Sequence, residues 1–267
     1  MRIPEMKSIF VALGVMLFTS LSHAQATSGI RGVSFRTVSV SAGMGKLAIR
    51  DRAISSERYT GPLIHMSADW NDFGPEKGTH WGIRIRAGED IANGLMTAEV
   101  AQLELDLDLL YSVYRTQILG RDAFVYLGPS TGTYLYLREQ QIAFTGGTAG
   151  FAVSIYIETP LGIQSRLILP IGRRLQIEAD LYLDVVSLGI RVPFSDDEDA
   201  AKLVHLGNSP EANLDLKLSY YVIGGLYLQL ATQQDATKVG AWETDMLSGY
   251  SGITLGLGYD FCRKGNR

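Results

Sequence analysis

A chain of 267 residues with a formal charge of −4 has no bulk attraction for nucleic acid. Its single cysteine, Cys262, excludes an intramolecular disulfide framework. The length allows one large β domain or two small ones. No Pro/Ser linker, low-complexity tract or fixed-period repeat divides the chain, so one domain is expected.

The chain opens with Arg2 and Lys7, then the apolar run "IFVALGVMLF", then small residues at Ser22, Ala24 and Ala26. That order predicts a secretory signal peptide over residues 1–24, with cleavage after Ala26 as the alternative. The run is too short to remain as a spanning anchor, and no later run approaches the roughly 20 apolar residues that a transmembrane helix needs. An exported chain follows, with its body over 25–261 and a short tail over 262–267.

Beyond the signal, strand-like alternation recurs near 31–43, 59–70, 79–87, 99–117, 121–128, 132–144, 149–158, 163–171, 173–192, 212–222, 224–232 and 249–261. In "QLELDLDLL" Leu103, Leu105, Leu107 and Leu109 take one face, and Gln102, Glu104, Asp106 and Asp108 the other. "HWGIRIR" sets Trp81, Ile83 and Ile85 against His80, Arg84 and Arg86. "LQIEADLYLDV" sets Leu175, Ile177, Ala179, Leu181 and Leu183 against Glu178, Asp180 and Asp184. "NLDLKLSYY" sets Leu214, Leu216 and Leu218 against Asp215 and Lys217. Period-two alternation is strand behaviour. A soluble sandwich of this size would include central strands without charge, whereas nearly every segment here is aliphatic on one face and polar or ionised on the other. The pattern predicts an all-β, antiparallel, up-and-down transmembrane β-barrel with the leucines on lipid and the charges in the lumen. The count is about twelve strands, or ten if 121–128 and 163–171 do not stand alone. The apolar phase slips between Val185 and Leu188, which predicts a bulge or a strand rising out of the membrane. Trp70 and Trp81 share the lipid-facing parity and belong to an interfacial aromatic girdle.

The last strand, "GITLGLGYDF", places Ile253, Leu255, Leu257, Tyr259 and Phe261 on one face. It resembles the C-terminal β-signal of bacterial outer-membrane barrel proteins, in which an aromatic closes the strand after alternating apolar residues. The resemblance implies recognition by the barrel-assembly machinery and residence in the outer membrane. Here "CRKGNR" follows Phe261 as a short periplasmic tail. Arg58, Tyr59 and Gly61 form an R-Y-x-G element, similar to that of outer-membrane barrels with no known activity rather than to a named porin or enzyme.

Candidate chemistry is sparse. His65, Ser67 and Asp69 share a strand face, and the His-x-Ser pair resembles that of outer-membrane phospholipase and one class of lipid A deacylase. A base beside a hydroxyl is what nucleophilic acyl transfer needs. However, Ile64, Met66, Ala68 and Trp70 claim the lipid face, which turns the pair inward. "DRAISSERYTG" resembles the first hairpin of a second deacylase class, with Arg50 and Asp51 where that class has Asn-Asp. The acidic loop Ser195 to Lys202 reads as solvated, with a divalent cation bridging lipopolysaccharide phosphates as the alternative. His23, His65, His80 and His205 have no metal-ligand spacing, and no phosphate or dinucleotide loop exists, so neither metal nor cofactor is expected.

The remaining candidates are the lumen-facing charges: Glu104, Asp106, Asp108, Glu178, Asp180, Asp184, Asp215, Arg84, Arg86, Arg166 and Lys217. Paired, they would fill a closed structural barrel. With room left over, they would line a narrow channel that prefers cations. The sequence points to a non-enzymatic barrel of one of these two kinds, with a lipid hydrolase using His65 and Ser67 as the competing class. The expected partners are outer-membrane lipids and lipopolysaccharide, and the oligomeric state is not legible.

Overall fold

The computed structural model describes residues 34–52, 57–93, 96–118, 120–143, 149–192, 201–205, 210–240 and 245–262. The expected signal peptide, most of the acidic loop Ser195–Lys202 and the tail beyond Cys262 lie outside the described residues. Alternating residues become strands β1 (Phe35–Asp51), β2 (Tyr59–Phe73), β3 (Lys77–Ala92), β4 (Thr97–Ile118), β5 (Arg121–Ala143), β6 (Ala149–Ile171), β7 (Leu175–Arg191), β8 (Ala201–His205), β9 (Glu211–Ile223), β10 (Leu226–Val239) and β11 (Met246–Asp260). Each pairs antiparallel with its neighbour, and β1 closes on β11 from Thr37↔Asp260 to Asp51↔Met246. The result is a closed up-and-down barrel in which, among the described residues, only the short β8 is paired on one side alone.

Ten positions make up the wall, not twelve, because two pairs of expected strands are each continuous. Segments 121–128 and 132–144 join through Pro129 and Gly132 into β5, and 149–158 and 163–171 join through Pro160 and Gly162 into β6. Both prolines stay in register, with Pro129 opposite Ile163 and Pro160 opposite Ser187. The short β8 adds no position. It pairs with the upper part of β7, from Val186↔His205 to Ile190↔Ala201, and β9 pairs with the lower part, from Leu175↔Tyr220 to Leu183↔Ala212. The two therefore share one place in the wall. At that handover Leu161 pairs with Val186 and Gly162 with Asp184, which leaves Val185 as a bulge on β7. The phase slip read from the sequence is this bulge.

One end of the barrel carries tight turns. Gly120 (φ 72°) and Gly224 (φ 54°) adopt the left-handed conformation there, which a side chain would disfavour. At the opposite end lie the longer connections. Outward residues are large and apolar: Met44 is 72% exposed, Leu255 69% and Ile64 65%. A continuous exposed band of this kind is not compatible with water and marks a lipid-facing wall. Toward the turn end the band finishes in aromatics. Trp70 pairs with Trp81 in register, Trp70 lies 6.1 Å from the Phe261 ring, and Tyr259 lies 5.1 Å from it.

The interior is layered. A lower apolar floor at the turn end joins Phe35, Phe73, Leu110, Phe124, Tyr126 and Ile168. Phe35 stacks on Phe73 at 5.2 Å, and Tyr126 meets Phe73 edge-on at 5.0 Å. An upper apolar floor at the loop end includes Leu47, Ile49, Tyr59, Leu63, Ile91, Val100, Tyr136 and Met246. Between the floors the inward face is polar. Glycines make room for rings in the bore: a Cβ at Gly45 or Gly252 would fall within 2.4 Å or 2.0 Å of the Tyr250 ring system.

Candidate functional site

The polar layer is a belt of ion pairs donated by facing walls. On β3, Arg84 Nη1 donates to Glu104 Oε1 of β4 at 2.8 Å, and Nη2 lies 3.4 Å from both Asp106 and Asp215. Asp215 belongs to β9, five of the ten wall positions away from β3, so this contact crosses a full diameter of the bore. Arg86 reaches Asp235 of β10 at 2.6 Å and Glu104 at 3.5 Å, and its guanidinium stacks 4.4 Å above Tyr250. Arg166 of β6 pairs with Asp180 of β7 and donates to Asn71 of β2 at 2.7 Å. Lys217 of β9 lies 3.6 Å from Asp180 and 3.9 Å from Asp69 of β2. His80 is clamped between Asp108 at 2.8 Å and Asp69 at 3.1 Å. Strand alternation delivers each of these side chains inward, and antiparallel register sets neighbouring charges at the same height, such as Arg84 opposite Glu104.

The eleven lumen-facing charges read from the sequence all lie on the inner face. Glu178 accepts from Gln176 Nε2 at 2.9 Å, and Asp184 is fully buried beside Tyr182 with Oδ2 unpartnered. A cavity of about 40 Å³ survives in the belt, lined among others by Arg84, Asp106, Asn213 and Asp215. Among the described residues Asp106 Oδ2, Asn213 Oδ1 and Asp215 Oδ1 have no hydrogen-bond donor. The space is large enough for water.

His65, Ser67 and Asp69 do share the inner face of β2, but the first two are not bonded to each other. Ser67 Oγ is hydrogen-bonded to Ser41 Oγ at 2.7 Å and donates to Asp69 at 3.4 Å. His65 Nδ1 meets the Tyr250 hydroxyl at 3.3 Å, and Nε2 has no partner. The imidazole therefore addresses Tyr250, not the serine it would need to activate. Asp51, from the second deacylase-like hairpin, binds Arg191 and accepts from Ser154 at 3.2 Å.

Sequence reasoning missed several members of this interior. Asp235 escapes the sequence reading because the strand expected over 224–232 ends short of it. Arg138 lies where the outward face of β5 passes from Thr131 and Thr133 to Leu135, Leu137 and Glu139, and Glu158 and Arg191 fall just past the apolar runs Val153, Ile155, Ile157 and Leu188, Ile190. Arg138 stacks 4.4 Å above Tyr59, and Glu158 accepts from the Tyr156 hydroxyl at 2.7 Å. The parity of Arg138 with Tyr136, and of Glu158 with Tyr156, was the available signal. Among the described residues no cluster of three or more His, Cys, Asp or Glu could hold a metal ion.

No protein-family model matches the chain, and no curated protein sequence matches it. Solved structures do resemble it. The outer membrane protease OmpT from Escherichia coli aligns at 10% identity and TM-score 0.46, over 89% of this chain and all of that one. The translocator domain of autotransporter NalP from Neisseria meningitidis aligns at 10% identity and TM-score 0.43, over 96% of this chain and 97% of that one. Ail, the attachment invasion locus protein of Yersinia pestis, aligns at 7% identity and TM-score 0.33, over 84% of this chain and 99% of that one.

Proposed function

We propose that the chain is an outer-membrane barrel with a closed bore, working through its wall and outer loops rather than by passing solutes or breaking bonds. The observation that carries this reading is the Arg84–Asp215 contact, which spans the bore at 3.4 Å inside a layer with an apolar floor on either side. At the upper floor Ser154 of β6 donates to Asp51 of β1, and Arg191 of β7 binds the same carboxylate, so facing walls meet at a second level. The lipid-type exterior, the tight turns gathered at one end and the aromatic end of β11 support placement in the outer membrane, with those turns in the periplasm.

Planar-bilayer recording tests it. The wild-type barrel should show no steady conductance, and a variant that removes the ties (Arg84→Ala with Arg86→Ala) should leak. A steady cation-selective current through the wild type that falls in Asp106→Asn with Asp108→Asn would establish the channel reading instead. That second reading is favoured by the surplus of inward acids, with Glu158 and Asp184 in no ion pair among the described residues and held by Tyr156 and Tyr182 instead. Acyl release from phospholipid or lipid A that vanishes in Ser67→Ala would overturn both readings.

A further inference from the structure

The barrel wall carries a basic trough at the upper edge of its apolar band, and we propose that it holds the phosphorylated sugar headgroup of a lipid A molecule in the surrounding leaflet. The proposal rests on the outer-membrane reading above. On β1 the outward residues run Val38, Val40, Ala42 and Met44, then change character at Lys46 and Arg50. Register carries the change sideways. Arg50 lies opposite Leu247 of β11, and Leu247 opposite Lys238 of β10. Between the level of Lys46 and that of Arg50 runs a row of small side chains: Thr60, Ala48, Gly249, Ala236 and Ala212, paired in that order across β2, β1, β11, β10 and β9. A Cβ at Gly249 would meet nothing closer than 3.8 Å. The row is therefore a shallow depression with cations on both banks, about 19 Å long at four strand spacings of roughly 4.8 Å.

The height fits a headgroup. Ser251, level with Lys46, lies eight residues above Tyr259 of the aromatic girdle. That is about 26 Å along a strand and about 20 Å along the membrane normal at the usual barrel tilt. The trough thus begins near the top of an apolar band about 25 Å tall. Acyl chains would lie against Val40, Met44, Leu255 and Leu230, and phosphate would come level with Lys46, Arg50 and Lys238.

The cations are available. Lys46 and Lys238 are exposed, and among the described residues neither side chain is in an ion pair. Arg50 is only loosely held, its Nη2 3.8 Å from Asp245, whose carboxylate bonds Arg52 at 3.1 Å. On β4 and β5 the same rim has the opposite sign: Glu99 and Glu139 face each other, both outward. An anionic headgroup therefore has one preferred side.

Native mass spectrometry of the full barrel in detergent, titrated with bisphosphorylated lipid A, tests this. Wild type should retain one lipid A. Lys46→Gln with Lys238→Gln should weaken retention tenfold or more, the order expected for two basic residues at an anionic lipid. Lys46→Arg with Lys238→Arg should keep it. Gly249→Leu, which fills the trough without a backbone clash, should lose it, whereas Glu99→Gln with Glu139→Gln should not. Equal retention by the glutamine pair, or of lipid A stripped of phosphate, would overturn the proposal, and so would equal retention of phosphatidylglycerol. Density-gradient fractionation of cells reads the location separately. Wild-type protein in the inner membrane would overturn the outer-membrane reading, while the titration still judges the trough.

Discussion

Arg84 is the residue on which the belt depends most, and Arg84→Met is the sharpest test of the layered interior. The substitution keeps the length and apolar stem of the side chain and removes its charge. Three carboxylates touch the guanidinium, at 2.8, 3.4 and 3.4 Å. Glu104 retains Arg86 at 3.5 Å, but among the described residues Asp106 and Asp215 have no other cation within 4 Å. At an effective dielectric of about 20, a pair 3.4 Å apart attracts by about 5 kcal/mol before desolvation is counted. Removing one partner of a buried pair costs about 3–5 kcal/mol net, because the survivor stays buried and uncompensated. Side-chain exposures of 10–20% across this cluster place the expected loss near the middle of that range, about 4 kcal/mol. Tryptophan fluorescence of the barrel in phospholipid vesicles, followed through a guanidinium titration, measures it. The loss should be largest at mildly alkaline pH and shrink in acid, since a protonated carboxyl needs no counter-charge. A loss below about 1 kcal/mol, unchanged by pH, would refute the claim that the bore is filled by coupled charges, because a water-filled bore would solvate the acids left behind.

Leu107→Arg places a charge on the lipid face and should cost about 2–4 kcal/mol if the residue lies near mid-bilayer; Lys46→Ala at the rim, in the same titration, should cost little. Phe261→Ala should lower the amount of assembled barrel, read as the heat-modifiable band on unboiled gels, whereas deleting residues 262–267 should not. Gly252→Val should displace the Tyr250 ring and lose about 1–3 kcal/mol, the range for overpacking a filled interior, and Tyr250→Ala in the same background should restore part of it.

Much of this architecture is legible in the sequence because lipid imposes a strict parity. Leu103 to Leu109 cannot shift register by one residue without placing Glu104, Asp106 and Asp108 in hydrocarbon. The Val185 bulge shows as a break in that parity. Pro129 and Pro160 misled the strand count because local chemistry reads proline as a turn, while a barrel strand tolerates it where neighbouring strands fix the path. The two apolar floors were missed for a related reason. At Leu47 and Ile49 the apolar residues take the inward parity, while Lys46 and Arg50 turn outward, which is the signature of a strand leaving the bilayer. His65 and Ser67 share a face without bonding each other, because spacing places two groups on one side of a strand but does not aim them at each other. Their actual partners, Tyr250 and Ser41, come from β11 and β1, and nothing local announces them.

The seam between β1 and β11 also makes the cylinder indifferent to where its chain begins. Phe261 N donates to the Arg36 carbonyl at 2.8 Å, so the first and last strands meet at the same rim as the tight turns. A short peptide could join them, and new ends could be opened at the Gly224–Gly225 turn. Such a circular permutant would keep every pair in the wall while making β9 the final strand in place of β11. It would separate two properties that the natural order keeps together, the geometry that closes a barrel and the identity of the strand that ends the chain.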